Sequence, residues 1–508
     1  MSSPSRSSRD SHDALKYAPG VGARVPPAMR PLRTTEWLAL LHAGLFLVAI
    51  TWAFGGAAEW LRPHFAWFGG IGIFLTFAAM RDRDVRKEGG LRPLTWLWPF
   101  AAFNALVLIS CLNSSFRIVK SENETLFLNT GGFAWLPSTA RPSLSLQALW
   151  IFDALWIPAF NLTLLVRQRR ALRGLLIVAV VNAVALSIFG TVQKLTHAKG
   201  IYFGEVPTPQ AYFFASFVYH NHWGAFSLLM MAACLGLAWH FGRRHDARNF
   251  FHSAAFGGLV ALLLITATVP LSGSRSSTIL GTLLLGGAFL HWAARLYLSR
   301  RHRPAGFLLP IGGAVLALVL AAGSVWYVAR ETIEKRASLT RDQVANMLAK
   351  GGVGSRSELY RDTWRMAQDK RWFGWGMASY PHVFSLYNRQ SSIDRLPVFY
   401  RDAHSDWLQS FAEHGFVGTV LLALCGLVPL TRLRRRHFAS PLPAYLLAGC
   451  GLLLLYAWVE FPFGNLAVVF SWWLCFFTAL HYARLQDREA PSPTKVIAST
   501  AAGSPDPA

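Results

Sequence analysis

Acidic residues are scarce in this sequence, with 26 Asp and Glu against 49 Lys and Arg in a chain of 508 residues. Charged residues of both signs make up only 15% of the chain, whereas hydrophobic residues make up 53%. So little charge excludes an ordinary set of soluble domains, whose surfaces need more of it. The apolar residues fall in blocks of about 20, the length of a helix that crosses a bilayer. We therefore predict an all-α, polytopic membrane helical bundle.

Cysteine is also scarce, since only five are present and each lies in or at the end of an apolar block. This distribution excludes a disulfide framework and a zinc-binding pattern. The chain lacks a P-loop and a glycine-rich dinucleotide motif, so we expect no nucleotide site, no cofactor and no metal. Residues 1–33 are too polar for a cleavable signal peptide, and we expect the first apolar block to act as an uncleaved anchor.

Twelve apolar blocks are candidate membrane spans, which places the bundle at residues 34–484. The polar segments 1–33 and 485–508 are then disordered cytoplasmic tails. The shortest predicted connection joins two blocks near 271–276. The twelve blocks are 36–54, 64–80, 94–112, 147–166, 172–192, 213–240, 253–271, 276–298, 307–329, 405–430, 441–460 and 465–483.

Lys and Arg are unevenly distributed between the predicted connections. With the N-terminus inside, the inside segments hold 29 of these cations, the short outside loops hold 7, and the long segment 330–403 holds 13. Inside loops of membrane proteins carry such an excess, while long loops cross the membrane largely regardless of charge. The pattern predicts that both termini lie inside and the long loop outside. It also explains the net charge of +23 without nucleic acid as a partner.

The outside segment between the ninth and tenth spans is too long for a plain connection, and such loops are usually functional or disordered. Ser355-x-x-Glu358 matches a helix capping box, and Leu359 and Ala367 follow at helical spacing. We predict a helix there. Residues 330–403 carry 13 basic and 8 acidic side chains, a balance that favours anionic substrates or lipid headgroups. An ordinary solvated surface would also show this excess of basic side chains.

His404 lies where this loop meets the tenth span, at the outer mouth of a membrane helix. Imidazole is the side chain best suited to take a proton near neutral pH. His404 is therefore the candidate general base, and the alternative is an interfacial histidine without a catalytic role. Asp406 can share its site only if the helix begins after His404, because residues two apart on a helix are separated by about 200°. Asp406, Gln409 and Glu413 form a polar stripe, which faces either a wet site or a buried structural network.

Arg275 lies in the short turn LSGSRSS (271–277) between two apolar blocks. Its guanidinium suits phosphate oxygens, and the alternative ligand is a lipid phosphate. The neighbouring serines lack the G-x-S-x-G arrangement of a nucleophile elbow, which disfavours a serine protease.

Five other polar residues stand out. His220 and His222 open the sixth predicted span on the outside, but residues two apart diverge on a helix. A shared metal is therefore disfavoured, and a role in shaping the acceptor pocket is favoured. Asp82-x-Asp84 is the pattern that holds a metal–nucleotide-sugar in many transferases, but it falls inside among five cations and we interpret it as a solvated loop. Asp153 lies within the fourth span, where an ionisable residue hints at function, and its role stays open.

Several short motifs together resemble the O-antigen ligase/O-antigen polymerase family of bacterial envelope glycosyltransferases. The resemblance covers about residues 180–430, and the order of the motifs also fits. The motifs are Gly190-Thr191-Val192-Gln193, Phe217-x-x-His220-Asn221-His222, Leu271-x-x-Ser274-Arg275, Gly354-Ser355-Arg356 with Trp364, Phe373-Gly374-Trp375-Gly376, Ala403-His404-Ser405-Asp406-x-Leu408, and Glu413-x-Gly415-x-x-Gly418.

The resemblance implies a multi-pass enzyme of the bacterial inner membrane with cytoplasmic termini and a periplasmic loop at 330–404. Its activity would be glycan transfer from undecaprenyl diphosphate to an acceptor hydroxyl at the periplasmic face, without nucleotide sugar or metal. This belongs to surface polysaccharide biosynthesis, such as that of lipopolysaccharide or exopolysaccharide. The implied partners are the lipid-linked glycan, a lipid or glycan acceptor, membrane lipid and other polysaccharide-assembly membrane proteins.

The resemblance also implies roles by position. His404 is the base, Arg275 and Arg356 are diphosphate ligands, and the further substrate-binding candidates are His220, His222, Asp406 and Glu413. Many relatives carry an arginine shortly upstream of Phe217, but residues 203–219 contain none. A second cationic diphosphate ligand is thus not identified.

Other functions compete with this one: a lipid-linked sugar flippase or transporter, a protein O-oligosaccharyltransferase, and a non-catalytic assembly scaffold. Transporters usually have inverted repeats and polar sites at the membrane midplane. The polar residues here cluster at the outer mouth and in one loop, which favours surface chemistry. The sequence does not separate ligase from polymerase, because the two differ in the hydroxyl that is admitted.

Overall fold

The structure is a computed structural model of an α-helical bundle with one short β-hairpin. It describes residues 30–489 apart from 88, 121–124, 131, 209–211, 243–250, all but isolated positions of 301–354, 390–398 and 439. The helices are α1 (Thr34–Trp52), α2 (Arg62–Gly70), α3 (Gly72–Arg81), α4 (Arg83–Lys87), α5 (Trp98–Leu112), α6 (Pro142–Leu165), α7 (Arg169–Leu195), α8 (His220–Gly242), α9 (Ala254–Ser272), α10 (Arg275–Arg300), α11 (Ser355–Asp369), α12 (Tyr380–Val383), α13 (Asp406–Leu430), α14 (Pro441–Tyr456) and α15 (Leu466–Glu489). The hairpin pairs β1 (Phe116–Lys120) with β2 (Thr125–Asn129) in antiparallel register.

The predicted helical membrane bundle is confirmed. Nine helices among the described residues are long and apolar enough to cross a membrane, when residues 59–81 are taken as one helix. Two more, α5 and α14, are apolar but shorter. These helices account for eleven of the twelve predicted spans. The remaining span, 307–329, lies outside the described residues apart from isolated positions.

The shortest predicted connection is confirmed by a tight turn between α9 and α10. Gly273 follows Ser272 with φ 82°, and its N–H donates to the Pro270 carbonyl at 2.9 Å. Glycine adopts this left-handed conformation at little cost because it has no Cβ. The chain therefore reverses at once, and α10 begins with Arg275.

Helix α1 runs antiparallel to α6 and to α8, as contacts at its two ends show. At one end, the Arg167 N–H donates to the Glu36 carboxylate at 2.8 Å, which joins the start of α1 to the end of α6. At the other end, Ser216 Oγ donates to the Thr51 carbonyl at 2.5 Å, which joins the end of α1 to the segment before α8. The side of the membrane at which each end lies stays a prediction.

The segment before α13 forms a small module with its own apolar cluster. We call residues 355–387 and 399–405 the loop module. Within α11, Leu359 and Ala367 are 1% and 0% exposed, so the predicted helix is confirmed with its predicted buried face. They pack with Trp375 and Tyr380 in one hydrophobic cluster, which gives the loop module a fixed shape at the end of the bundle.

Lys370 joins the loop module to the segment around the hairpin. Its Nζ donates to Ser115 Oγ at 2.5 Å and to Ser138 Oγ at 2.6 Å, and it lies 4.6 Å from the centre of the Trp375 ring. Burial lowers the pKa of Lys370 to about 8 from an ordinary value of 10.5. Between these two pH values the unfolded chain holds one more proton than the folded protein, so raising the pH favours folding.

We therefore expect the melting temperature of the wild type to rise relative to Lys370→Met between pH 7.5 and pH 9.5. The reason is that the variant has no amine to release its proton on folding. Differential scanning fluorimetry of both proteins in detergent measures the effect. Exposed Lys199→Met is the matched control and should follow the wild type. A pH-independent difference between wild type and Lys370→Met would contradict the argument.

Candidate active site

His404 is held in a left-handed backbone conformation just before α13. Its φ is 51°, and such conformations cost a residue with a side chain of order 1–3 kcal/mol. The helix begins only at Asp406, after Ser405 as N-cap. The Tyr360 hydroxyl donates to the His404 carbonyl at 2.8 Å and holds the conformation. Strained residues of this kind cluster at functional sites, which favours a functional role for His404.

The Glu460 carboxylate lies between His404 and Arg356. Its Oε2 is 3.7 Å from His404 Nδ1, and its Oε1 is 2.6 Å from Arg356 Nη2. Arg356 Nη1 also donates to the Val459 carbonyl at 3.1 Å. The side chain of Glu460 is 5% exposed, whereas that of His404 is 28% exposed. Three segments thus converge on one buried carboxylate: helix α11, the residues just before α13, and the turn between α14 and α15.

The charge of Glu460 is stabilised by its surroundings. Burial alone would raise the pKa of Glu460, but its interactions with His404 and Arg356 outweigh burial and hold the pKa below its ordinary value. The Tyr219 hydroxyl donates to Glu460 Oε2 at 3.4 Å. Burial, reinforced by the Glu460 charge, raises the pKa of Tyr219, so the phenol remains a donor. Asn221 Nδ2 in turn donates to the Tyr219 oxygen at 2.8 Å.

Phe461 provides an aromatic wall for this cluster. Its ring centre is 4.8 Å from that of His404 at an interplanar angle of 88°. It lies 5.4 Å from the stacked Tyr219 ring and 5.2 Å from the His222 ring, which it meets edge to face. Such edge-to-face and offset pairs are favoured and restrict ring rotation. His222, predicted from its position at the start of α8, therefore belongs to the same cluster as His404.

Asp406 holds the turn that carries Glu460. Its Oδ2 accepts the Phe463 N–H at 2.8 Å, and its own N–H donates to the Ala457 carbonyl at 2.9 Å. The helix does begin after His404, as a shared site required. The carboxylate of Asp406 nevertheless binds the backbone of the turn that carries Glu460.

The rest of the polar stripe on α13 also contacts backbone. Gln409 Oε1 accepts the Ala403 N–H at 3.0 Å. The two oxygens of Glu413 accept the N–H groups of Ala378 and Tyr380, each at 3.0 Å. These contacts favour the buried structural network over a substrate site for Gln409 and Glu413.

An interruption of α13 at Gly415 anchors the loop module. The Trp375 N–H donates to the Ala412 carbonyl at 3.0 Å, and the Phe416 N–H donates to the Arg371 carbonyl at 2.8 Å. Backbone from the loop module thus pairs with α13 on both sides of Gly415, whose φ and ψ are 63° and −169°. This pairing fixes the loop module relative to the helix that follows His404.

Arg275 lies near the same end of the bundle as this cluster. It is the first residue of α10 and is exposed. Its neighbour Ser274 contacts Ser277 Oγ at 2.9 Å and the Tyr456 hydroxyl at 3.4 Å. The Glu460 N–H donates to the Tyr456 carbonyl at 3.1 Å. The turn of Arg275 therefore packs on the end of α14 that leads to Glu460.

Two further arginines lie beside the approach to α13. Arg401 Nη2 is 2.8 Å from a carboxylate oxygen of Glu59. Burial raises the pKa of Asp402, although the charges of Arg401, His404 and Arg62 oppose the shift. Arg62, from the N-terminal third, and Arg401 thus lie close to Asp402 and to the segment that carries His404. Neither arginine was connected with the site by the sequence motifs.

The H-x-H pair at the start of α8 does not converge on one point. His220 Nδ1 is 3.3 Å from the Tyr212 carbonyl, whereas His222 Nε2 is 3.3 Å from the Phe461 carbonyl. Within the part of the chain that the structure describes, no group of three His, Cys, Asp or Glu side chains is arranged to hold a metal ion. The two histidines contact different segments, as their helical spacing predicted.

The remaining acidic candidates have local partners. Asp82 accepts the Asp84 N–H at 2.8 Å and so caps α4. Asp153 Oδ1 accepts from Asn104 Nδ2 at 3.1 Å, which pairs α6 with α5. Both contacts are structural, and neither residue joins the cluster around Glu460.

The sequence motifs missed Glu460, Tyr219 and Phe461. A signal for Glu460 was present, since it is an isolated acid at the predicted outer end of an apolar span. Ionisable residues at such positions mark functional sites or buried pairs. Its partners are 56 and 104 residues away along the chain, and no local spacing connects them.

Comparison with known proteins points to the same region. Residues 259–423 match the family model described as Wzy_C, O-antigen ligase. The match contains Arg275, Arg356 and His404, and it ends before Glu460. No curated protein matches the chain. Residues 259–423 of this protein are therefore similar to the O-antigen ligase family.

Proposed function

We propose that this protein transfers a glycan from a polyprenyl diphosphate, such as undecaprenyl diphosphate, to an acceptor hydroxyl at the periplasmic face of the bacterial inner membrane. The observation that carries the proposal is the partly exposed His404 imidazole beside a buried, charged Glu460 where the loop module meets the bundle. A site at a helix mouth is accessible both to a lipid-linked donor and to an acceptor outside the bilayer. The proposal includes twelve spans, cytoplasmic termini and a periplasmic loop module.

The reaction needs a base and charge stabilisation. His404 takes the proton from the acceptor hydroxyl, whose oxygen forms the new bond to the anomeric carbon of the glycan. The bond from that carbon to the diphosphate oxygen breaks, and the diphosphate leaves with the electron pair. Attack opposite the leaving group inverts the anomeric centre. General base catalysis of this kind contributes about 100- to 10,000-fold.

Cations near the site suit the leaving diphosphate. Arg275 lies exposed in the turn that packs near Glu460, and its planar fork can donate to two phosphate oxygens. Arg62 and Arg401 lie beside Asp402 and provide further positive charge. Arg356 is engaged by Glu460 and Val459, so in this proposal it supports Glu460 and does not bind diphosphate.

Purified protein in nanodiscs with a polyprenyl-diphosphate glycan tests the proposal. We expect release of polyprenyl diphosphate coupled to transfer of the glycan. Longer lipid-linked chains identify a polymerase, transfer to a lipid core identifies a ligase, and transfer to a peptide hydroxyl identifies a protein O-oligosaccharyltransferase. Movement of the intact lipid-linked glycan between leaflets without bond cleavage would contradict the proposal and favour a flippase.

A further inference from the structure

We propose that Glu460 is a positioning residue for this reaction: its carboxylate orients the His404 imidazole through Nδ1, and Arg356 holds that carboxylate in place. The inference rests on the proposed function, because it requires His404 to act as the base. It adds to the family match a residue that lies beyond residues 259–423.

The surroundings of His404 Nδ1 support this arrangement. Nδ1 of His404 is buried without a hydrogen-bond partner among the residues that the structure describes. Glu460 Oε2 lies 3.7 Å from this nitrogen, and a movement of about 1 Å would form a hydrogen bond. Catalytic hydrogen bonds are often this long before substrate binds. With its proton on Nδ1, His404 presents an unprotonated Nε2 to the acceptor.

The position of Glu460 is fixed from three directions. Arg356 donates to Oε1 at 2.6 Å, Tyr219 donates to Oε2 at 3.4 Å, and Asp406 binds the turn on either side of Glu460. A buried carboxylate with charged and neutral donors keeps its charge and its orientation. Glu460 can therefore act on the imidazole as a fixed negative charge.

One helical face of α11 assembles the pair. Arg356 and Tyr360 are four residues apart and lie on the same face of the helix. Arg356 binds the Glu460 carboxylate, while the Tyr360 hydroxyl binds the His404 carbonyl at 2.8 Å. Docking of α11 therefore brings the base and its carboxylate together.

Several charged and titratable groups surround this pair. Asp402 and His222 interact electrostatically with His404, while Arg356 and Tyr219 face Glu460. Glu460 differs from Asp402 because a carboxylate oxygen of Glu460 lies 3.7 Å from His404 Nδ1. Removing its charge should make the protonated imidazole less favourable, since a nearby opposite charge stabilises the charged form.

Glu460→Gln tests the inference in the full-length protein with a polyprenyl-diphosphate glycan as donor. Gln keeps the shape and removes the charge. We expect kcat to fall at least about tenfold, part of the contribution of a general base. The donor KM should change little, and the acidic limb of the pH profile of kcat/KM should move to lower pH. Glu460→Asp should recover part of kcat.

Exposed Glu205→Gln, in the segment before α8, is the matched control and should behave as the wild type. Elution and melting of each purified variant show whether it folds. A folded Glu460→Gln with unchanged kcat overturns the inference. A lower kcat with an unmoved acidic limb also overturns it, because that result indicates a merely structural role. A wild type that does not transfer glycan, in contrast, overturns the proposed function itself.

Discussion

Replacing His404 is expected to reduce glycan transfer by about 100- to 10,000-fold, the range that a general base contributes. His404→Ala removes the proton acceptor, so the acceptor hydroxyl loses its proton less readily as it attacks the anomeric carbon. Because His404 has φ 51°, alanine also bears a backbone strain that asparagine tolerates better. His404→Asn is therefore the sharper variant, since it removes the base and preserves the left-handed conformation. The measurement is release of polyprenyl diphosphate by the purified protein.

His197 offers a close control for these variants. It is exposed and has the same φ of 51°, so His197→Ala and His197→Asn impose the same backbone cost outside the cluster. Both should retain wild-type transfer. If His404→Asn folds and transfers glycan at the wild-type rate, the base is another group and the assignment of His404 is wrong.

Gly415→Ala is expected to destabilise the protein by about 3 kcal/mol. The backbone of Gly415 has φ 63° and ψ −169°, a region that is essentially restricted to glycine. A Cβ there would lie 2.4 Å from the Phe373 nitrogen, so the loop module would have to separate from α13. We expect a lower melting temperature and loss of transfer, because the approach that carries His404 is held by the same module.

A glycine elsewhere in α13 provides the control. A Cβ on Gly426 would meet other atoms only at 3.8 Å, so Gly426→Ala should leave stability and transfer nearly unchanged. Gly374→Ala should reproduce the defect of Gly415→Ala, because its Cβ would lie 2.3 Å from the Glu413 carbonyl. Fluorescence-detected size-exclusion chromatography after heating compares the variants. Equal melting of Gly415→Ala and Gly426→Ala would show that the pairing of loop module and helix is unimportant.

His404 and Asp406 show which features of the site the sequence could predict and which it could not. The motifs identified both residues. Helix geometry required that the helix begin after His404 if the two side chains were to share a site. The structure meets the condition, yet Asp406 binds the Phe463 N–H instead. Helical spacing specifies only the angle between two side chains, whereas the partner of each depends on which segment packs against it.

For Arg356, the sequence identified the residue but not the partner that it binds. Its position in a motif suggested a phosphate ligand, and a guanidinium suits phosphate and carboxylate equally well. Only the position of Glu460, at 2.6 Å, decides between these partners in the structure. Arg62 and Arg401 show the same limit. Both lie beside Asp402, but they come from segments far apart in the sequence that no motif links.

The sequence by itself determined the helical membrane bundle, most of its spans and the helix that begins at Ser355. Hydrophobic blocks, cation distribution and helix spacing are local properties, so they can be read without knowing the path of the chain. Tertiary structure alone decided that Glu460, Tyr219 and Phe461 surround His404. These contacts join residues far apart in sequence, and they arise because buried polar groups must find partners wherever the packed helices place their ends.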